Sequence, residues 1–308
     1  MTRVPLEERY VDLGVKAIDE DDLAKAKRYL DRAITLNSSS YLAYYNRGVV
    51  YDMMDRLEDA LGDYERAIAL QPNHLASQHN RAVILRELGR PEEAIGAFDA
   101  VLRFEPDSGD VLYNRGIALS DMGRFEEALR SYERAIEADP DKLDARIARG
   151  NALLELGELE RALEVADELV SLEPSSTEVH VLRGMACFDL GRSADAVGEF
   201  TQALETTPDD HGALLHRGIV LQKLRRSEEA IRDLTHSLKN HPDCDEAFYH
   251  LAICHVQLGN REEALDALQK AIDIHPTRRA DAQKAIEFEP LRSEPRFKAV
   301  LSGKRRRG

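Results

Sequence analysis

Small residues recur every 34 positions through most of this chain, at Gly14, Gly48, Ala82, Gly116, Gly150, Gly184, Gly218 and Ala252. Twelve residues after each stands an alanine, from Ala26 to Ala264. Twenty-four residues after seven of them stands a proline, from Pro72 to Pro276, whereas the first series has Ser38. Such a period excludes one central core, because repeated units in a row bury apolar surface only against their neighbours. Eight units fit the spacing: 7–40, 41–74, 75–108, 109–142, 143–176, 177–210, 211–244 and 245–278. There remain an N-terminal extension, 1–6, a stretch 279–303 expected to form C-terminal capping helices, and a basic tail, 304–308.

Within a unit numbered so that the recurrent small residue falls at 8, positions 4, 8 and 11 lie on one face of a helix, as Leu112, Gly116 and Leu119 do in the fourth. A second stripe at 20, 24, 27 and 28 is Ala128, Tyr132, Ala135 and Ile136. Position 15 between them is glycine in five units, a residue that readily ends a helix in the left-handed conformation. The proline at 32 is expected to stop the second helix. Gly at 8 and Ala at 20 are expected to mark the point where the two helices cross. In the fifth unit Ala166 stands where a large residue is usual and Leu169 where alanine is usual, an exchange that holds core volume roughly constant.

These residues resemble the tetratricopeptide repeat family, and the second unit, with Tyr44, Gly48, Tyr51, Ala60, Tyr64, Ala67 and Pro72, is close to its consensus. The resemblance covers 7–278 and implies an all-α fold, a right-handed α-solenoid or superhelix of antiparallel helix pairs. No unit carries the family's tryptophan; the first has small Ala17 and polar Lys27, as expected of a cap with one side in water. The resemblance also implies that positions 2, 5, 6, 9, 12 and 13 of the first helix line a concave surface where a partner is held.

On that strip, position 6 is asparagine in three consecutive units, Asn46, Asn80 and Asn114, able to grip the backbone of an extended peptide or, alternatively, to link neighbouring helices. Positions 5 and 9 are mostly apolar, as in Tyr45, Val49, Val83, Tyr113 and Ile117. These form either an interaction floor or a surface already buried by curvature. Tyr45 and Tyr113 are the expected anchors. Glu87, Asp121, Glu155 and Asp189 at position 13, with Asp110 and Asp144 at position 2, make an acidic margin suited to a basic ligand or simply to solvation, and Arg90, Arg124 and Arg192 at position 16 stand near enough in sequence to neutralise it. Positions 5 and 9 hold no lysine, and asparagine only at Asn151, so the clamp by which related domains hold acidic chaperone tails is not expected. Arginines at position 7, Arg47 to Arg217, flank the core and are expected to join units rather than bind an anion.

Composition narrows the function. The chain has 308 residues, 43% of them hydrophobic, and a net charge of −15. The apolar residues are dispersed, so membrane insertion is not expected, and the acidity argues against nucleic acid. Residues 279–308 hold nine cationic and four anionic side chains; with these and Arg3 set aside, the array itself carries −21. Met1–Asp12 contains no apolar signal core, and three cysteines suit a reducing cytoplasm. No phosphate loop, dinucleotide fingerprint or nucleophile elbow occurs. Cys187 and Cys254 fall at packed positions, and His255 points away from the helix face that His250 and Cys254 share, so neither catalysis nor a metal or other cofactor is expected. The expected function is a non-catalytic adaptor binding another protein through a basic or amphipathic segment. Alternatives are a regulatory subunit docking a folded partner, such as a small GTPase or a secretion or polarity component, and self-association.

Overall fold

The computed structural model describes residues 5–302, so the basic tail Lys304–Arg307 and most of the N-terminal extension lie outside the described residues. Among the described residues the chain is helical throughout. Sixteen helices form eight pairs: α1 (Leu6–Asp19) with α2 (Leu23–Leu36), α3 (Tyr41–Met53) with α4 (Leu57–Leu70), α5 (Leu75–Glu87) with α6 (Pro91–Leu102), α7 (Gly109–Asp121) with α8 (Phe125–Ala138), α9 (Leu143–Glu155) with α10 (Leu159–Leu172), α11 (Thr177–Asp189) with α12 (Ser193–Thr206), α13 (His211–Lys223) with α14 (Ser227–Asn240), and α15 (Asp245–Gln257) with α16 (Arg261–Ile274). Two compact bodies result, Met1–Ala152 and Leu153–Gly308, with the boundary inside α9. In each, helices pack on the one before and the one after, and first helices such as α1 and α3, or α13 and α15, also touch. This is an α-solenoid of antiparallel helix pairs.

The turn inside each pair shows why position 15 matters. Backbone φ there is positive in all eight pairs, at Asp21, Asp55 and Arg225 as well as at Gly89, Gly123, Gly157, Gly191 and Gly259. The next residue's N–H donates back to the carbonyl of position 11, as Arg56 does to Tyr51 at 2.8 Å and Arg90 to Leu85 at 2.9 Å, closing the first helix in a Schellman turn. Arg225, exposed and at φ 60°, is the least suited occupant. Arg225→Gly should therefore stabilise the chain by about 1 kcal/mol, read as a higher urea midpoint at unchanged slope; an unchanged midpoint would mean the arginine carries no strain.

Second helices other than α2 carry acidic residues in their first turn, which suit the helix dipole. They end at position 30 in seven of the eight pairs. The first repeat ends there too although it has Ser38 for proline, with Asn37 as its last cap, so proline reinforces a stop set by the loop.

The core corrects one sequence expectation. An added Cβ at Gly48 would lie 2.7 Å from the Tyr64 ring, and one at Gly184 would lie 2.7 Å from Phe200. The small residue at 8 thus makes room for the large side chain at 24 rather than for the alanine at 20. The alanines at 20 are themselves fully buried. Ala128→Leu should cost about 1–3 kcal/mol by overpacking, and a thermal scan matching wild type would contradict the packing described here. Ala166 and Leu169 are both fully buried, as their exchange implies.

Arginines at position 7 tie pairs together. Arg47 donates Nε to Asp63 at 2.7 Å within its own pair and Nη1 to Asp31 of the preceding pair, also at 2.7 Å. The same two-way reach is made by Arg115 to Ser131 and Asp99, by Arg183 to Glu199 and Asp167, and by Arg217 to Asp233 and Thr201. Lys27 is not turned to water: it pairs with Asp31 at 2.7 Å and lies over the Tyr51 ring.

After Ile274 the chain forms α17 (Arg278–Lys284), a 3-10 segment (Ile286–Leu291) and α18 (Pro295–Ser302). Ala282, Phe288, Leu291, Phe297 and Val300 are buried in one cluster with α15 and α16. Ile286 is 72% exposed because the 3-10 geometry turns it outward and presents Phe288 instead.

Candidate functional site

The strip on the first helices divides by accessibility. Tyr45, Val49, Val83, Tyr113 and Ile117 are half-buried, leaving apolar surface open to a ligand. Their rings are held by packing from beneath: Tyr45 meets Tyr64 at 6.1 Å and His74 at 4.9 Å, and Tyr113 meets Tyr132 at 6.1 Å. Equivalent residues of the last two pairs, Leu215, Ile219, Tyr249 and Ile253, are buried. Over Tyr249 lie Phe288, 5.5 Å away, and the Arg278 guanidinium, so the C-terminal segment covers the strip there.

The three asparagines are half-buried on α3, α5 and α7, and each amide donor already has a partner. Asn46 Nδ2 donates to the Leu42 carbonyl at 2.8 Å and Asn80 Nδ2 to the Tyr64 hydroxyl at 3.3 Å. Asn114 Nδ2 lies 3.1 Å from His79 Nε2, which accepts in the neutral imidazole that burial of His79 favours. The side-chain oxygens make no hydrogen bond among the described residues, so what the row offers a ligand is acceptors for its N–H groups.

The acidic residues are not equivalent. Asp110 is paired with Lys142 at 2.5 Å, whose hydrogen bond holds its carboxyl below the usual range, and Lys142 also lies over the Tyr113 ring. Asp121 is 3.7 Å from Arg86. Glu87, Asp144, Glu155 and Asp189 are exposed, and Arg86 lies 3.7 Å from Glu87 as well. Burial, and then the nearby Asp52, push the Glu87 carboxyl up; burial alone pushes up Asp52. Asp52 was not among the sequence candidates, although its position 12 belongs to the strip. It is half-buried and has no ion pair among the described residues. The expected neutralisation by position 16 does not occur: Arg90, Arg124 and Arg192 are engaged by Glu93, Glu127 and Asp195 at the start of their own second helices. An i,i+3 partner on the same turn is closer than any position 13 of the strip.

The thiol and imidazole groups are packed. Burial raises the Cys187 thiol, lifts that of Cys254 to about 12 and lowers His250 to about 4, while His250 Nδ1 is hydrogen-bonded to Gln222. Among the described residues no group of three or more His, Cys, Asp or Glu side chains is arranged to hold a metal, and no helix is long and apolar enough to cross a membrane.

Comparison with known proteins agrees with this architecture. Tetratricopeptide repeat models match residues 41–74, 73–141 and, in four overlapping stretches, 113–279. No curated protein matches the chain. Among solved structures, a tetratricopeptide repeat protein from Parabacteroides merdae superposes with a TM-score of 0.69 at 19% identity, over 80% of this chain and 98% of that one. PilW, a type IV pilus biogenesis factor, gives 0.62 at 20% identity over 68% of this chain and 98% of its own. Yeast Tom70 gives 0.62 at 18% identity over 99% of this chain and 68% of its own. Those identities speak for the fold alone. With eight helix pairs on one period, and family models over most of the chain, the protein belongs to the tetratricopeptide repeat family, whose fold is a scaffold for binding other proteins.

Proposed function

We propose that the chain is a non-catalytic adaptor that holds a segment of a partner protein along the first-helix strip of its second to fourth repeats. The observation that carries this reading is the row of half-buried apolar side chains from Tyr45 to Ile117, flanked by asparagine oxygens without donors and by carboxylates, Asp52 and Glu87 foremost, that no arginine of position 16 neutralises. A segment with apolar side chains for the floor, backbone N–H groups for the asparagines and a lysine or arginine for the carboxylates satisfies all three. Asp121, Asp144, Glu155 and Asp189 would add long-range attraction for such a segment. The free thiols of Cys187, Cys244 and Cys254 support a reducing compartment such as the cytoplasm.

The test is affinity capture by wild type and by the triple variant Tyr45→Ala/Asn80→Ala/Tyr113→Ala, with thermal unfolding of both as the control for folding. Partners held by the strip should be lost by the variant, and the affinity of the captured segment should fall several-fold on moving from about 0.05 to 0.5 M salt. Retention of every partner by the folded variant would place the binding face elsewhere. Binding of an intact partner but of none of its peptides would favour docking of a folded domain.

A further inference from the structure

The array is acidic, yet four arginines converge on one cavity of about 590 Å³ lined by the C-terminal end of α6 and the middles of α7 and α8: Arg103, Arg115, Arg130 and Arg134. Two of them, Arg130 and Arg134, stand one turn apart on the same helix, where like charges oppose helix formation. Their local partners do not account for them. Arg115 is spent on Asp99 and Ser131, at 2.7 Å each, and the Glu127 carboxylate is held by Arg124. Arg134 donates to the Pro106 carbonyl at 2.6 Å and lies 3.9 Å from exposed Asp107. Arg103 and Arg130 make no hydrogen bond or ion pair among the described residues, and both are exposed enough to turn toward a ligand. The lining carries four positive charges against those of Asp99 and Glu127, an excess of two.

We propose that this cavity binds a phosphate monoester as its dianion. Guanidinium groups match phosphate oxygens with paired hydrogen bonds, and the excess of two positive charges equals the charge of a phosphate monoester above its second ionisation, about pH 6. A carboxylate would leave one excess charge unmatched. A long nucleic acid would be repelled by a chain of net charge −15, whereas a single phosphate group is governed by the guanidinium groups within a Debye length. Three of the four arginines stand on or at the end of second helices, so this site is separate from the strip and its occupancy does not depend on the partner proposed there.

The test is calorimetric titration of the full chain at low ionic strength with inorganic phosphate and with the tripeptide Gly-phosphoserine-Gly, using unphosphorylated Gly-Ser-Gly as reference. Both phosphate probes should bind, more weakly below the second ionisation of phosphate, since arginine itself keeps its charge. Arg103→Gln/Arg130→Gln should lose about tenfold or more. Arg232→Gln, which removes an exposed arginine from the same repeat position as Arg130 but outside the cavity, should lose less than about twofold. Tighter binding of the phosphotripeptide would identify the source as a phosphorylated partner, and equal binding would identify it as free phosphate; either supports the site. Absence of saturable binding by both probes, equal loss in Arg232→Gln, or equal affinity for Gly-Ser-Gly would overturn it.

Discussion

Phe288→Ala is expected to lower stability by about 3–5 kcal/mol and to do so at one end of the chain. Phe288 is fully buried, its ring 5.5 Å from Tyr249 and 6.1 Å from Phe297, in the cluster that also holds Leu268 and Ile272 of α16. Removing the ring opens a cavity in the cover of the last pair. A solenoid is stabilised by nearest-neighbour interfaces, so the loss should not spread evenly. Hydrogen exchange should accelerate in α15 and α16 while amides of α3 to α8 keep their protection, and urea unfolding should broaden or split. A single transition at the wild-type midpoint would show that the C-terminal segment is not a cap.

Asp63→Ala should cost about 2 kcal/mol, although the residue lies in no catalytic or binding site. Asp63 is 6% exposed and accepts from both Nε and Nη2 of Arg47, at 2.7 and 2.8 Å. Truncation leaves a half-buried guanidinium with Asp31 as its remaining carboxylate, which Lys27 already shares. The double variant Arg47→Met/Asp63→Leu should recover most of the loss, because an apolar pair carries no unpaired charge. If Asp63→Ala unfolds like wild type, the Arg47–Asp63 pair does not hold α3 against α4. Asp31 adds a pH signature. Burial pushes its carboxyl up, but hydrogen bonds from Lys27 and Arg47 outweigh that and hold it below the ordinary value. Its contribution is therefore present above about pH 3.9 and is lost as the pH falls through the lowered folded value.

What could be read along the chain was whatever repeats with it. Gly48, Ala60, Tyr64 and Pro72 recur at fixed offsets, and recurrence at helical spacing specifies two helices and their buried faces without any knowledge of contacts. Side chains whose partner lies 16 residues away were legible only as to class: position 7 could be assigned to the flank of the core, but not its acceptors at Asp63 and Asp31. Arg90 and Asp52 show the limit within the strip. One was expected to neutralise the acidic margin and is held by Glu93; the other was passed over and is an unpaired carboxylate on that face. Which side chains of the cap turn inward was illegible for a different reason, since Pro290 and Pro295 interrupt helical periodicity and leave no pattern to place Phe288 inside and Ile286 outside.

The 34-residue period by itself determined the family, the helix pairs and the faces they bury, because each of those depends on spacing within a repeat or between adjacent ones. The tertiary structure alone decided which strip residues stay open, which carboxylates remain unpaired, and that arginines of α6, α7 and α8 share one cavity. Those properties depend on side chains brought together from different helices, and their distances follow from how the backbone packs rather than from any count along the chain.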